Sequence, residues 1–171
     1  MSLELMVALD FGDRALLASL ADFEIPPEFP EPDEQVLKFR ITDLTFDPGS
    51  HRWLVRAMVL REPARVMIGH VGFHGPPDEE GRAEVGYTVF DAYRRQGYAL
   101  EAIEGLLRWA QEVEGVGAFR ASVGPDNVPS LRLVEKLGFR QVGTQIDEID
   151  GEELVFELDR DPSVTGPGPR G

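Results

Sequence analysis

The chain has 171 residues, 42% of them hydrophobic and 28% charged, with 17 Lys and Arg against 31 Asp and Glu for a formal net charge of −14. That size fits one domain with a real core, while zero cysteines and only three histidines (His51, His70, His74) argue against disulfides, a Cys nucleophile and any metal site. The acidity weighs against nucleic acid, and no apolar run approaches the roughly 18–20 residues of a membrane span. Asp10 and Asp13 interrupt the short apolar start that a secretory signal needs, so a cytoplasmic location is expected.

Residues 4–20 read as a strand-like start and then a short helix from Asp13 through Leu20. The stretch 22–35 is rich in Pro and acid (Pro26, Pro27, Pro30, Pro32, Glu28, Glu31, Asp33, Glu34) and reads as a loop before a helix around 33–44. Strands are expected at 53–60 and 65–73, divided by the turn-prone Arg61-Glu62-Pro63-Ala64, and a third at 83–90 after the loop 75–81. A helix over 98–113 follows from Ala99, Ile103, Leu106, Ala110 and Val113, whose steps of 4, 3, 4 and 3 line one face. After a strand at 118–123, a second amphipathic helix runs over 128–137 and stops at Gly138. Two last strands, 142–149 and 153–158, flank the hairpin signal Asp150-Gly151. The tail from Asp161 is rich in Pro and Gly, and no regular packing is expected of it. The sum is one α/β domain over 1–160, with a mixed, mostly antiparallel sheet of six to seven strands and about four helices.

Charge is not spread evenly. Residues 94–140 hold seven Lys and Arg against six Asp and Glu, a net of +1, so the remainder carries −15. That sparing suits a site for an anionic ligand, although uneven chance would look the same. Within the spared segment, Arg94-Arg95-Gln96-Gly97-Tyr98-Ala99 joins a strand to a helix. A helix start presents unpaired amides and the positive end of a dipole, Gly97 lets phosphate approach the backbone, and Ala99 keeps that approach open. Taken alone, the turn reads first as an ordinary strand-to-helix junction. It lacks the Gly-Lys-Ser/Thr of a P-loop and the paired glycines of a dinucleotide fingerprint. Further on, Asn127 fits an N-cap, Pro129 a first helical turn and Gly138 a helix stop.

In order, Glu84-Val85-Gly86-Tyr87, Gly97-Tyr98-Ala99-Leu100-Glu101-Ala102, Asn127-Val128-Pro129-Ser130 and Glu135-Lys136-Leu137-Gly138-Phe139 resemble the GNAT superfamily of N-acetyltransferases. The nearest branch looks like the one containing the ribosomal-protein alanine N-acetyltransferases. The motifs cover 83–139, and strand order extends the likeness loosely over 7–158. The resemblance implies acetyl-CoA as donor, lying in a V where the strand at 83–90 splays from that at 118–123. It implies pantetheine pairing with backbone near Val89, and pyrophosphate on the amides of Arg95, Gln96, Gly97 and Ala99, with Arg94 opening the motif. Asn127 matches a position that contacts cofactor or orders the helix. Ser130 lies beside the thioester sulfur in related enzymes and is the candidate to protonate the leaving thiolate, or else a plain helix residue. The family's usual Tyr for that role is missing, since no Tyr follows Tyr98.

An amine attacks a thioester only when deprotonated. Near pH 7.5 a lysine amine is about 0.1% neutral and an α-amine roughly a third neutral, so a base matters far more for the former. Glu84, sharing a strand face with Gly86 and Thr88, is the candidate base, directly or through water, against the alternative of a solvent-facing glutamate. Backbone N–H near Val89 would meet the oxyanion. His70 and His74 end a strand beside the expected cleft, where they are candidate bases, though such histidines are more often structural. Trp53, Phe73, Tyr87 and Phe90 read as core by default, with one of them bordering the acceptor pocket as the alternative. The acidic stretches 22–34 and 147–153 suit solvated loops or a cationic acceptor. The expected activity is acetyl transfer to a primary amine, a protein N-terminal α-amine or a small molecule, by direct attack in a ternary complex. A catalytically weak CoA-binding module and a small scaffold without a CoA site are the alternatives. A homodimer is the prior for assembly, and neither nucleic acid nor membrane is expected as partner.

Overall fold

The first departure from the sequence reading comes at once: Leu3–Asp10 is a helix, α1, not a strand. Ser2 caps it, its hydroxyl accepting from Leu5 N–H at 3.2 Å. Leu5, Met6, Ala8 and Leu9 are all buried, a pattern that fits a helix wedged between neighbours rather than one face of a strand. Asp13 then caps α2, Arg14–Leu20, with Oδ1 accepting from Leu16 N–H at 3.0 Å. The third helix, α3, spans Val36–Phe46, starting three residues and ending two residues later than expected. The computed structural model describes residues 1–27, 29–30, 35–149 and 151–160, so the expectations placed on Glu28, 31–34, Asp150 and the tail from Asp161 lie outside the described residues.

Six strands follow: β1 (Arg56–Val59), β2 (Met67–Phe73), β3 (Arg82–Val89), β4 (Ala118–Val123), β5 (Arg140–Asp147) and β6 (Gly151–Asp159). They form one open sheet in the order β1-β2-β3-β4-β6-β5. β1 pairs antiparallel with β2, and β6 pairs antiparallel with both β4 and β5; β3 and β4 are parallel. Such a mixed, mostly antiparallel α/β sheet is the expected fold class. β1 begins three residues later than the strand expected from Trp53, because a 3₁₀ turn, Pro48–Arg52, precedes it and leaves Trp53, Leu54 and Val55 buried but outside the ladder. Two helices complete the chain, α4 (Tyr98–Glu114) and α5 (Val128–Lys136).

Two compact units divide these elements. The first, Met1–Gly72 with Tyr87–Gln96, gathers its core from Met6 and Leu9 of α1, Leu37 of α3, Leu54 and Met67. Phe29 joins it and lies 5.1 Å, centroid to centroid, from the Phe90 ring and 5.8 Å from the His70 ring. His70 is 5% exposed on a strand buried along its whole length, and takes its place there as a core residue.

The second unit comprises Phe73–Gly86 and the described residues from Gly97 on. Its core stacks Phe73 on Phe119 (6.1 Å, 15° between planes) and adds Ile103, Leu106, Leu107 and Ala110 from α4. Leu107 replaces Val113, which the sequence pattern assigned to the apolar face and which is 63% exposed. At about 100° per residue the buried stripe centres between Ile103 and Ala110, so Leu107 falls inside its edge and Val113 outside. Gly115, at φ 72°, closes α4: its N–H donates to Gln111 C=O and that of Val116 to Ala110 C=O, satisfying two terminal carbonyls.

Candidate active site

The approach to α4 is a short 3₁₀ turn, Asp91–Tyr93, and then Arg94, Arg95 and Gln96. Arg94 ties that approach together. Its Nε donates to the Val89 carbonyl at 2.9 Å and its guanidinium meets Asp91 Oδ1 at 2.8 Å. Phe90 N–H donates to Ile68 C=O on β2, so strand alternation aims the N–H of Val89 to the side away from β2. Arg95 has φ 61°, the one non-glycine residue in the left-handed region among the described residues. Left-handed backbone at a bulky residue costs about 1–3 kcal/mol and persists where the surroundings demand it. Gly97 is left-handed too, at φ 91°, and a β-carbon there would have nothing within 4 Å. Left-handed residues in a turn aim successive N–H groups into one concavity, a shape suited to an anion.

Gly97 is also the N-cap of α4, and no side chain caps the helix. The Glu101 N–H reaches back to Gly97 C=O at 3.1 Å, which begins the intrahelical ladder and leaves the amides of Tyr98, Ala99 and Leu100 without an intrahelical acceptor. Ala99 is half-buried in this first turn, while Arg94, Arg95, Gln96 and Gly97 are exposed. Open space at the Gly97 β-carbon position and the uncapped amides that follow it give the start of α4 the character of an anion site. α5 starts differently. Asn127 Oδ1 accepts from Ser130 N–H at 3.2 Å, so its side chain serves the helix itself.

Glu84 lies on β3 with its side chain 27% exposed. The described parallel register runs from Arg82↔Ala118 to Glu84↔Arg120, so Glu84 stands in its last pair, while β4 continues along β6 to Val123↔Leu154. Ser122 Oγ donates to Glu84 Oε1 at 2.6 Å, and His74 Nδ1 stands 3.9 Å from the same oxygen. The His74 ring also lies over Gly86, where a β-carbon would come within 2.7 Å of Nε2; glycine is what gives the imidazole room beside Glu84. Gln145 Nε2 in turn donates to Ser122 Oγ (3.2 Å) and to Glu153 Oε2 (2.9 Å). Along the same sheet, Arg120 bonds Glu157 at 3.0 Å and Arg82 meets the same carboxylate at 3.1 Å. The hydrogen bond to Glu157 raises the Arg120 guanidinium further above its ordinary value. Asp78 is held below the usual carboxylate range, first by the Arg82 backbone N–H.

The sequence reading thus named Glu84 but missed Ser122, Gln145 and Glu153. Alternation in 118–123 does put Ser122 with Arg120 on the polar face, opposite buried Phe119, Ala121 and Val123. What it could not supply is the register that brings Ser122 to a residue 38 positions earlier.

Residues 5–140 match the model of the Acetyltransferase (GNAT) domain family. The uncharacterized N-acetyltransferase YjdG of Bacillus subtilis (strain 168) is 35% identical over 91 residues, which cover 53% of this chain and 52% of YjdG. The chain spans about half the length of such curated relatives. Among solved structures, the ribosomal-protein-S5-alanine acetyltransferase of Vibrio fischeri shares the fold with a TM-score of 0.63 at 16% identity, covering 93% of this chain and 88% of its own. A ribosomal-protein-serine acetyltransferase assignment accompanies a similar fold from Vibrio cholerae, with a TM-score of 0.61 at 20% identity and coverage of 92% and 87%. A family match over 5–140, on a sheet and helix order of this kind, places the chain in the GNAT acetyltransferase family.

Proposed function

We propose that this protein transfers the acetyl group of acetyl-CoA to a primary amine by direct attack within a ternary complex. The observation that carries this reading is the uncapped, left-handed entry to α4, where Arg95, Gln96, Gly97 and Ala99 offer amides to the pyrophosphate and Arg94 holds the turn. Bound there, acetyl-CoA supplies an acetyl group already activated as a thioester.

The chain's own work is deprotonation, orientation and charge stabilisation. Glu84 takes a proton from the acceptor ammonium, directly or through water, releasing the lone pair for attack. The Val89 N–H meets the negative charge that develops on the carbonyl oxygen. On attack the amine nitrogen sheds its second proton, and Ser130, in the first turn of α5, relays it by giving its hydroxyl proton to the departing sulfur while taking the nitrogen's proton through water; since a thiolate is a good leaving group, its contribution is the smallest of the three. With no cysteine in the sequence, a thioester-linked enzyme is not part of the scheme. A protein N-terminal α-amine, suggested by the motif likeness to the ribosomal-protein alanine N-acetyltransferase branch, and small-molecule amines are the two acceptor classes.

Thiol release from acetyl-CoA in the presence of N-terminal peptides, polyamines and aminoglycosides tests the reading. Amine-dependent release is expected, with Glu84→Gln lowering kcat by about 100-fold or more for a lysine-like amine and less for an α-amine. Tight binding of acetyl-CoA with no turnover on any amine would instead favour a CoA-binding regulatory module.

A further inference from the structure

We propose that Ser122 is a positioning residue for Glu84, directed by Gln145 and Glu153, and that the assembly reserves Glu84 Oε2 for the acceptor amine. This rests on the reading of Glu84 as base.

Hydrogen-bond chemistry fixes the direction of the chain. A hydroxyl has one proton to donate, and Ser122 gives it to Glu84 Oε1. Its oxygen must therefore accept from Gln145, whose amide nitrogen has two protons and gives the second to Glu153 Oε2. Carboxylates only accept, so Glu153 anchors one end and Glu84 terminates the other. Each donor has one assignment, and reversing any bond would leave two donors or two acceptors facing each other. Four strands hold the four residues: Glu84 on β3, Ser122 on β4, Gln145 on β5 and Glu153 on β6, with Gln145 and Glu153 directly paired in the β5–β6 register.

The consequence falls on the base. Both described contacts of Glu84, Ser122 at 2.6 Å and His74 at 3.9 Å, are made to Oε1. Among the described residues, Oε2 is left as the oxygen that can accept a proton from a substrate without breaking a hydrogen bond. A glutamate on a strand has three side-chain torsions, and a short bond to a strand-borne hydroxyl removes the freedom to swing away. Ser122 touches neither donor nor acceptor in this scheme and acts through Glu84.

The test compares Glu84→Gln, Ser122→Ala, Ser122→Thr and the double variant Glu84→Gln with Ser122→Ala, in full-length protein with the best amine found. Ser122→Ala is expected to lower kcat about tenfold, the size typical of losing one hydrogen bond to a charged group. It leaves the dissociation constant of acetyl-CoA within twofold, and Ser122→Thr restores most of the rate. The double variant is no slower than Glu84→Gln alone, because the two residues act as one unit. Gln145→Met, at an exposed β5 position, repeats the test without touching the interior and should cost about threefold in kcat. Full activity of Ser122→Ala alongside an impaired Glu84→Gln would overturn the positioning role and leave the base standing, as would a double variant slowed by the product of both effects. Full activity of Glu84→Gln would remove the base, and the positioning role with it.

Discussion

The starts of α4 and α5 are built from opposite solutions to the same problem. Each helix opens with amides that have no intrahelical partner. At α5 the chain satisfies one of them itself, through Asn127 Oδ1 on Ser130 N–H. At α4 it places a left-handed glycine, leaves the amides uncapped and precedes them with two arginines, one of them strained. A self-satisfied terminus is a structural device. A terminus left open at a cost in backbone strain is expected to be completed by something else, and an anion is the completion its dipole favours.

Converting one start into the other should break this contrast most sharply. Gly97→Asp puts a carboxylate where α4 has none, at a residue type that tolerates left-handed backbone better than most. The acetyl-CoA dissociation constant should rise about 100-fold by titration calorimetry, with Tm moving by less than about 3 °C. Arg94→Ala removes the tie from Val89 C=O to Asp91 that shapes the turn, and should weaken acetyl-CoA about tenfold. Asn127→Ala tests the other side: it should cost about 1 kcal/mol of folding stability in urea while changing the acetyl-CoA constant less than twofold. A tenfold loss of affinity there would show that Asn127 serves the ligand after all. Arg95→Gly is the subtlest. Relief of the φ 61° conformation should stabilise the fold by up to about 1 kcal/mol, while the lost charge weakens acetyl-CoA about threefold.

Much of the contrast could be read in advance, and the reasons are local. Gly97 before an apolar helical stripe, Asn127 before Pro129, and Gly138 after a second stripe are signals carried within a few residues, and α4, α5 and β4 lie where the periodicity put them. The errors fall where local signal is ambiguous. Leu3–Asp10 is apolar on too many sides to distinguish a helix from a strand, and Ser2 was the cap that would have decided it. Trp53 has the character of a strand residue, but the chain is still turning through Trp53 and Leu54 after the 3₁₀ segment, so the ladder of β1 opens only at Arg56. Glu84 was legible as a polar residue on a strand. Its partners were not, because Ser122, Gln145 and Glu153 meet it only through the pairing of β3, β4, β6 and β5, which no spacing in the sequence encodes.

The central claim is that the open start of α4 receives the donor's pyrophosphate and the closed start of α5 does not. Titrating ADP, which carries the donor's pyrophosphate without its pantetheine arm or sulfur, into ¹⁵N-labelled protein and following backbone amide resonances tests it residue by residue. The account predicts large, saturable shifts at Arg95, Gln96, Gly97 and Ala99, with the Ser130 amide, already bonded to Asn127, moving far less. Shifts concentrated at Ser130 with the 95–99 amides unmoved would contradict it.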